Sequence, residues 1–183
     1  MSSWRQFDPE AIRSAPPLST APRVRVLGLD PGSRRTGFGV IDCEGNAHTH
    51  IASGCIAAQG EAIATRLRTI FQGIEHLIAT YQPDEVAIER VFVNRNVDSA
   101  MKLGQARGAA LCAVPAGTAV FEYAPRAIKL AVVGSGAAEK AQVAHMMKVL
   151  LQLALVPQAD AGDALAVALC HAHSRRLRLL VAS

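Results

Sequence analysis

Apolar and polar positions change period several times along this 183-residue chain, and each change marks an element. Val24 to Asp30 is a short apolar run that ends in a carboxylate. The turn-rich stretch Pro31-Gly32-Ser33-Arg34-Arg35-Thr36-Gly37 follows, then apolar runs over Phe38 to Ile41 and Gly54 to Ala58. These predict three successive strands with a glycine-rich turn between the first two. From Glu61 to Tyr81 the period lengthens: Ile63, Leu67, Ile70, Phe71, Ile74, Leu77 and Ile78 recur at the three-four spacing of an amphipathic helix. Asp84 to Phe92 reads as a buried strand carrying Val86, Ala87, Ile88 and then Glu89, and a helix follows over about Asp98 to Ala113. Ala119 to Tyr123 is a fifth strand. The loop Gly134-Ser135-Gly136 separates a short helical stretch from a helix over about Ala138 to Leu153, and a last helix runs from Asp160 to about Leu177. Three strands in succession, then strands alternating with helices, predict an α/β domain around a five-stranded mixed sheet.

Met1 to Pro22 shows no such periodicity and holds four prolines and four serines, so it is expected to be a disordered extension ahead of one domain over 23–177. Half the residues are apolar and 19% charged, which excludes an acidic disordered chain. The net charge of +4 suits a nucleic-acid binder or an ordinary enzyme and does not choose between them. Cys43, Cys55, Cys112 and Cys170 form no close pair, so neither a disulfide frame nor a thiolate zinc site is expected. The run Cys170-His171-Ala172-His173 lacks a fourth ligand at suitable spacing. No apolar run reaches the roughly 18 to 20 residues of a membrane span, and a reducing cytoplasm is the expected setting.

Four acidic residues carry the chemistry this pattern allows. Asp30 ends a strand before a Pro-Gly turn, where Asp also serves to hydrogen-bond the turn. Glu89 sits on a strand expected to be covered on both faces, where an uncompensated carboxylate costs several kcal/mol, about what a metal, a cation or an ion pair with Arg90 must offset. Asp160 and Asp163 are spaced i, i+3 on the first turn of the last helix, which puts them on one side of it; the alternative is an N-cap for Asp160 and a favourable dipole for Asp163. As a set, the four offer a hard oxygen site for Mg²⁺ or Mn²⁺.

At these residues the sequence resembles the RuvC family of Holliday-junction resolvases within the RNase H-like nucleases. The resemblance runs through Leu27-Gly28-Leu29-Asp30-Pro31-Gly32-Ser33, Ala87-Ile88-Glu89-Arg90-Val91-Phe92, Ala100 to Gly108, Phe121-Glu122-Tyr123-Ala124, Ala138-Glu139-Lys140 and Gln158 to Ala166. It implies an RNase H-like fold and an endonuclease that nicks two opposed strands of a four-way DNA junction symmetrically, leaving 5′-phosphate and 3′-hydroxyl ends. The family's catalytic carboxylates fall on Asp30, Glu89, Asp160 and Asp163, which would hold two Mg²⁺ ions, with Mn²⁺ as a substitute. One ion would activate water and the other stabilise the leaving oxygen. By the same resemblance Lys129 and Lys140 contact phosphate near the scissile bond. Phe92 stacks on an opened base, a contact worth about 1–3 kcal/mol.

Arg95, Lys102 and Arg107 are assigned to the DNA path or to a homodimer interface built on the helix that follows, whose Gly104, Ala106, Gly108, Ala109 and Ala110 permit close approach. The branch-migration complex RuvA-RuvB is the further partner implied, in a bacterial cytoplasm. Three rivals define the tests: an actin-like or sugar-kinase ATPase, which shares the strand-Asp-Gly-Ser turn but needs a second lobe; a junction-binding protein without activity, which predicts a damaged carboxylate set; and an RNase H-like nuclease with another substrate.

Overall fold

The computed structural model describes residues 22–90 and 96–182, so the expected extension, up to residue 21, lies outside the described residues. Five strands form one sheet: β1 (Val24–Asp30), β2 (Arg35–Glu44), β3 (Ala47–Ala57), β4 (Glu85–Glu89) and β5 (Ala119–Tyr123), in the order β3-β2-β1-β4-β5. β1, β2 and β3 pair antiparallel, while β4 pairs parallel with β1 and β5, which makes the sheet mixed. The helices are α1 (Ile63–Tyr81), α2 (Val97–Cys112), α3 (Pro125–Val133), α4 (Lys140–Leu150) and α5 (Ala159–Ala182).

Alternation along the strands sorts the core into two layers. Leu27, Leu29, Val40, Val86 and Ile88 meet Ile70 and Ile74 of α1 and Ala106 and Ala110 of α2 on one face. Val24, Val26, Ile41 and Ala87 meet α3, α4 and α5 on the other, through residues such as Ile128, Val132, Val143, Met147, Leu165 and Leu169. α5 is the most deeply covered element, with Ala164 through Cys170 all buried. It therefore reads as apolar over two continuous turns, unlike the surface helices.

The contact of α5 with the sheet is made backbone to backbone. A Cβ built on Gly28 would lie 2.3 Å from the carbonyl oxygen of Ala164, and one on Gly37 would lie 2.0 Å from that of Asp160. Only glycine admits this approach, which sets α5 down across β1 and β2. A cross-strand ion pair pins the far end of that hairpin: Arg25 donates from Nε to Asp42 Oδ1 at 2.7 Å and from Nη2 to Oδ2 at 2.9 Å, in register across β1 and β2. The guanidinium of Arg25 holds the Asp42 carboxyl below its usual range.

The strands β2 and β3 are longer than their apolar runs. β2 absorbs Arg35 to Gly37 from the expected turn, and β3 begins at Ala47. Its polar start, His48-Thr49-His50, belongs to an edge strand with one open side, which gives no apolar run. α4 stops at Leu150, short of the expected Leu153, because Gln152 takes a left-handed backbone at φ 50°. α5 begins one residue earlier than expected, so Asp160 stands inside its first turn and is no N-cap.

Replacing Gly28 by Ala should separate α5 from β1 and cost about 3 kcal/mol of stability, the upper range for overpacking. Urea denaturation measures it; a loss under about 0.5 kcal/mol, the scale of an ordinary surface change, would show that the backbone contact is not tight.

Candidate active site at the carboxylate end of the sheet

Asp30 and Glu89 are the last residues of β1 and β4. The parallel register pairs Leu29 with Ile88, so the next step along each strand brings the two carboxyls side by side. Both share the strand parity of Gly28 and Ala87, which belong to the face covered by α5. The glycine contacts set the first turn of α5 against that same end and bring Asp163 to the cluster. Asp30, Glu89 and Asp163 line one cavity of about 470 Å³, together with Pro31, Arg90, Lys129 and Lys140. Its apolar wall includes Leu103, Ile128, Val143 and Ala166.

Crowding like charges in a half-buried place has a direct cost. Burial, then the negative charge of Asp163, pushes the Asp30 carboxyl up to about 6. Burial, then the negative charge of the neighbouring Asp30 carboxylate, pushes Glu89 up to about 8. The pair therefore shares a proton near neutral pH and titrates as one unit.

The two helix carboxylates are answered by basic side chains. Lys140 Nζ, at the first position of α4 and 81% exposed, donates to Asp163 Oδ2 at 3.2 Å, which raises the lysine above its usual range. Asp160 is drawn the other way. Arg35 Nε donates to its Oδ2 at 2.5 Å, and burial together with the charge of the same carboxylate raises the Cys55 thiol of β3 above its usual range. Asp160 consequently does not line the cavity, although its charge still reaches Asp30. Among the described residues, no three His, Cys, Asp or Glu side chains stand together as a finished cage for an ion. The donor chemistry nonetheless fits a hard divalent cation: carboxylate oxygens alone, from two strands and a helix, with a proton already held where positive charge is required.

Of the other expected site residues, Lys129 lies on α3 and lines the cavity with Lys140. Lys102 pairs with Asp98 one turn away on α2. Arg107 is turned toward β5, donating from Nη2 to Glu122 at 2.5 Å, with Nε buried and unpartnered. Arg90, considered as a partner for Glu89, pairs with Glu122 instead at 3.4 Å. Phe92 and Arg95 lie outside the described residues. The run from Cys170 to His173 is taken up in the core: His171 is fully buried, with Nε2 2.5 Å from Glu85 and Nδ1 2.8 Å from the Tyr123 hydroxyl, and Arg175 donates to the other Glu85 oxygen at 3.0 Å. Arg35 was not singled out in the sequence. The signal was available: a turn that joins Asp30 to its cross-strand partner Gly37 must carry its arginines past the carboxylates.

The raised carboxyls fix a sign for pH dependence. Glu89 and Asp30 keep protons in the folded chain that the unfolded chain has already released, so their contribution is present below the ordinary carboxylate range and is lost as pH rises through about 6 and about 8. In EDTA, the melting temperature of the wild type relative to Glu89→Gln should fall from the ordinary carboxylate range up to about pH 8 and level off above it, and Mg²⁺ should recover the loss in the wild type only. A difference that stays flat across this range would contradict the shared proton.

Residues 26–171 match the family described as crossover junction endodeoxyribonuclease RuvC. The protein of that description from Shewanella loihica is 56% identical over 150 residues, covering 81% of this chain and 87% of the relative. The solved structure of Thermus thermophilus RuvC superposes with a TM-score of 0.76 at 33% identity, covering 84% of this chain and 96% of that one. The same protein in complex with a Holliday junction substrate gives 0.79 at 32% identity, covering 85% and 96%. With the match spanning both strand-end carboxylates and the start of α5, the chain belongs to the RuvC family of crossover junction endodeoxyribonucleases.

Proposed function

We propose that this chain resolves four-way DNA junctions, hydrolysing one phosphodiester bond in each of two opposed strands to leave 5′-phosphate and 3′-hydroxyl ends. The observation that carries this reading is the cavity in which Asp30, Glu89 and Asp163 meet Lys129 and Lys140, in a chain of this nuclease family. Membership brings dependence on a divalent metal. We assign two Mg²⁺ ions, replaceable by Mn²⁺, to Asp30, Glu89, Asp160 and Asp163. When bound, such ions supply Lewis acidity toward water and the phosphodiester.

The chain's own residues do the rest. Asp30 and Glu89, at the ends of two rigid strands, give up their shared proton and become anionic oxygen donors. Lys140, long and exposed, leaves Asp163 to meet a non-bridging phosphate oxygen, and Lys129 on α3, which lines the same cavity, reaches the same region. The apolar wall of Leu103, Ile128 and Val143 restricts water around the reacting phosphate. No side chain is needed as nucleophile.

Symmetric cutting requires two sites, and we assign the dimer contact to α2. Its outer face carries Val97 and Met101, exposed at 66% and 61%, and then Gly104 and Gly108, above which a Cβ would meet nothing. A second copy of the chain fits that smooth apolar face. Phe92, Arg95 and Lys102 are assigned to DNA. Partnership with RuvA-RuvB and a bacterial cytoplasmic setting belong to the same proposal; no described helix is long and apolar enough to cross a membrane.

With Mg²⁺, the protein should cut a synthetic four-way junction and leave linear duplex and an RNA–DNA hybrid essentially intact; equal rates on all three would overturn the assignment. Asp30→Asn, Glu89→Gln, Asp160→Asn and Asp163→Asn should each lower the single-turnover rate by about 10³-fold, the scale of several kcal/mol of lost charge stabilisation. Gel-shift affinity for the junction should persist in each. Wild-type cleavage by any of the four would remove that residue from the site.

A further inference from the structure

Two of the four carboxylates assigned to metal are already held by basic side chains, and the two cases differ. Lys140 meets Asp163 inside the cavity, so this pair breaks without moving Asp163 away from Asp30. Arg35 holds Asp160 outside it, on the β2–β3 side, where burial and the nearby carboxylate raise the Cys55 thiol of β3 above its usual range. The backbone there is fixed, because the Asp160 carbonyl rests on Gly37, so only the side chain is free to turn. The ion pair is solvent-accessible at both ends, with side-chain exposures of 55% and 31%, which makes it exchangeable. Arg35 also opens β2, directly after the turn that follows Asp30.

We propose that Arg35 is a positioning residue that exchanges Asp160 for a DNA phosphate. In the DNA-free protein its guanidinium keeps Asp160 off the carboxylate cluster, which limits the negative charge around Asp30 and Glu89 and weakens metal binding. When the strand is bound, the phosphate takes the guanidinium and Asp160 turns back to complete the set of four. Metal binding is thereby strengthened at the moment a substrate is present. A planar guanidinium suits the exchange, since the fork that accepts a carboxylate accepts a phosphate equally well. This rests on the four-carboxylate reading proposed above.

The test compares wild type, Arg35→Gln, Arg35→Lys, Arg34→Gln and Asp163→Asn, all as full chains. Mn²⁺ alone is titrated without DNA and free ion is read by electron paramagnetic resonance. Junction binding is measured in EDTA as a function of salt. Arg35→Gln should bind Mn²⁺ about three- to tenfold more tightly than wild type, the scale of one released ion pair, and its junction-binding salt slope should fall by about one. Arg35→Lys, which keeps the charge, should stay near wild type in both. Arg34→Gln makes the same charge change one residue away and should leave Mn²⁺ affinity unchanged. An unchanged Mn²⁺ affinity or an unchanged salt slope in Arg35→Gln overturns the proposal, as does an equal gain in Arg34→Gln. Failure of the four-carboxylate reading looks different: Asp163→Asn would then bind Mn²⁺ as the wild type does.

Discussion

The close approach of α5 to the sheet governs everything at the active end. Gly28, Gly37 and Gly39 leave no Cβ between β1, β2 and the helix, so the backbone of α5 sits on the strands. Ordinary helix-on-sheet packing, cushioned by side chains, would leave the acidic residues of α5 several ångströms further from Asp30. With the cushion removed, Asp163 becomes a neighbour of Asp30 and Glu89, in surroundings half shielded from water. The scaffold accepts this because the rest of α5 is apolar and covered, and because His171, Glu85, Tyr123 and Arg175 satisfy one another further along the helix. Rigid packing on one stretch of α5 thus holds a charge conflict in place at its start.

The conflict is resolved without metal by three local devices. A proton shared between Glu89 and Asp30 removes one charge, Lys140 answers Asp163, and Arg35 answers Asp160. Each device is replaceable in a complex with DNA and metal: protons leave, and lysine and arginine exchange carboxylate for phosphate. The modest net charge of +4 acquires a meaning in this light. Three acidic residues gathered in one cavity, with Asp160 beside it, hide a more basic surround, and two divalent ions on the proposed site would cancel those four charges. The field met by DNA is then stronger than the sum suggests.

Much of this was legible in the sequence, and for physical reasons. β1 and β5 coincide with their expected bounds, and α1 and α2 differ by one or two residues, because a covered strand or an amphipathic helix writes its period directly into the chain. Asp30 and Glu89 stood out because an acid at the end of an apolar strand is expensive unless used. The edge strand β3 was under-read, since alternating His48, Thr49 and His50 leave no apolar run. Side-chain partnerships were illegible altogether. Nothing in the spacing of Asp160 and Asp163 says that one faces Lys140 in a cavity and the other faces Arg35 outside it; that depends on where a turn 125 residues earlier carries its guanidinium.

The central claim is that a proton holds the place of a cation among Asp30, Glu89 and Asp163. Its most direct measure is proton release on metal binding, obtained by calorimetric titration of Mg²⁺ into the DNA-free protein near neutral pH, in buffers of different ionisation enthalpy. With Glu89 raised to about 8, roughly one proton per site should leave as Mg²⁺ enters. Binding of Mg²⁺ with no proton released would contradict the account.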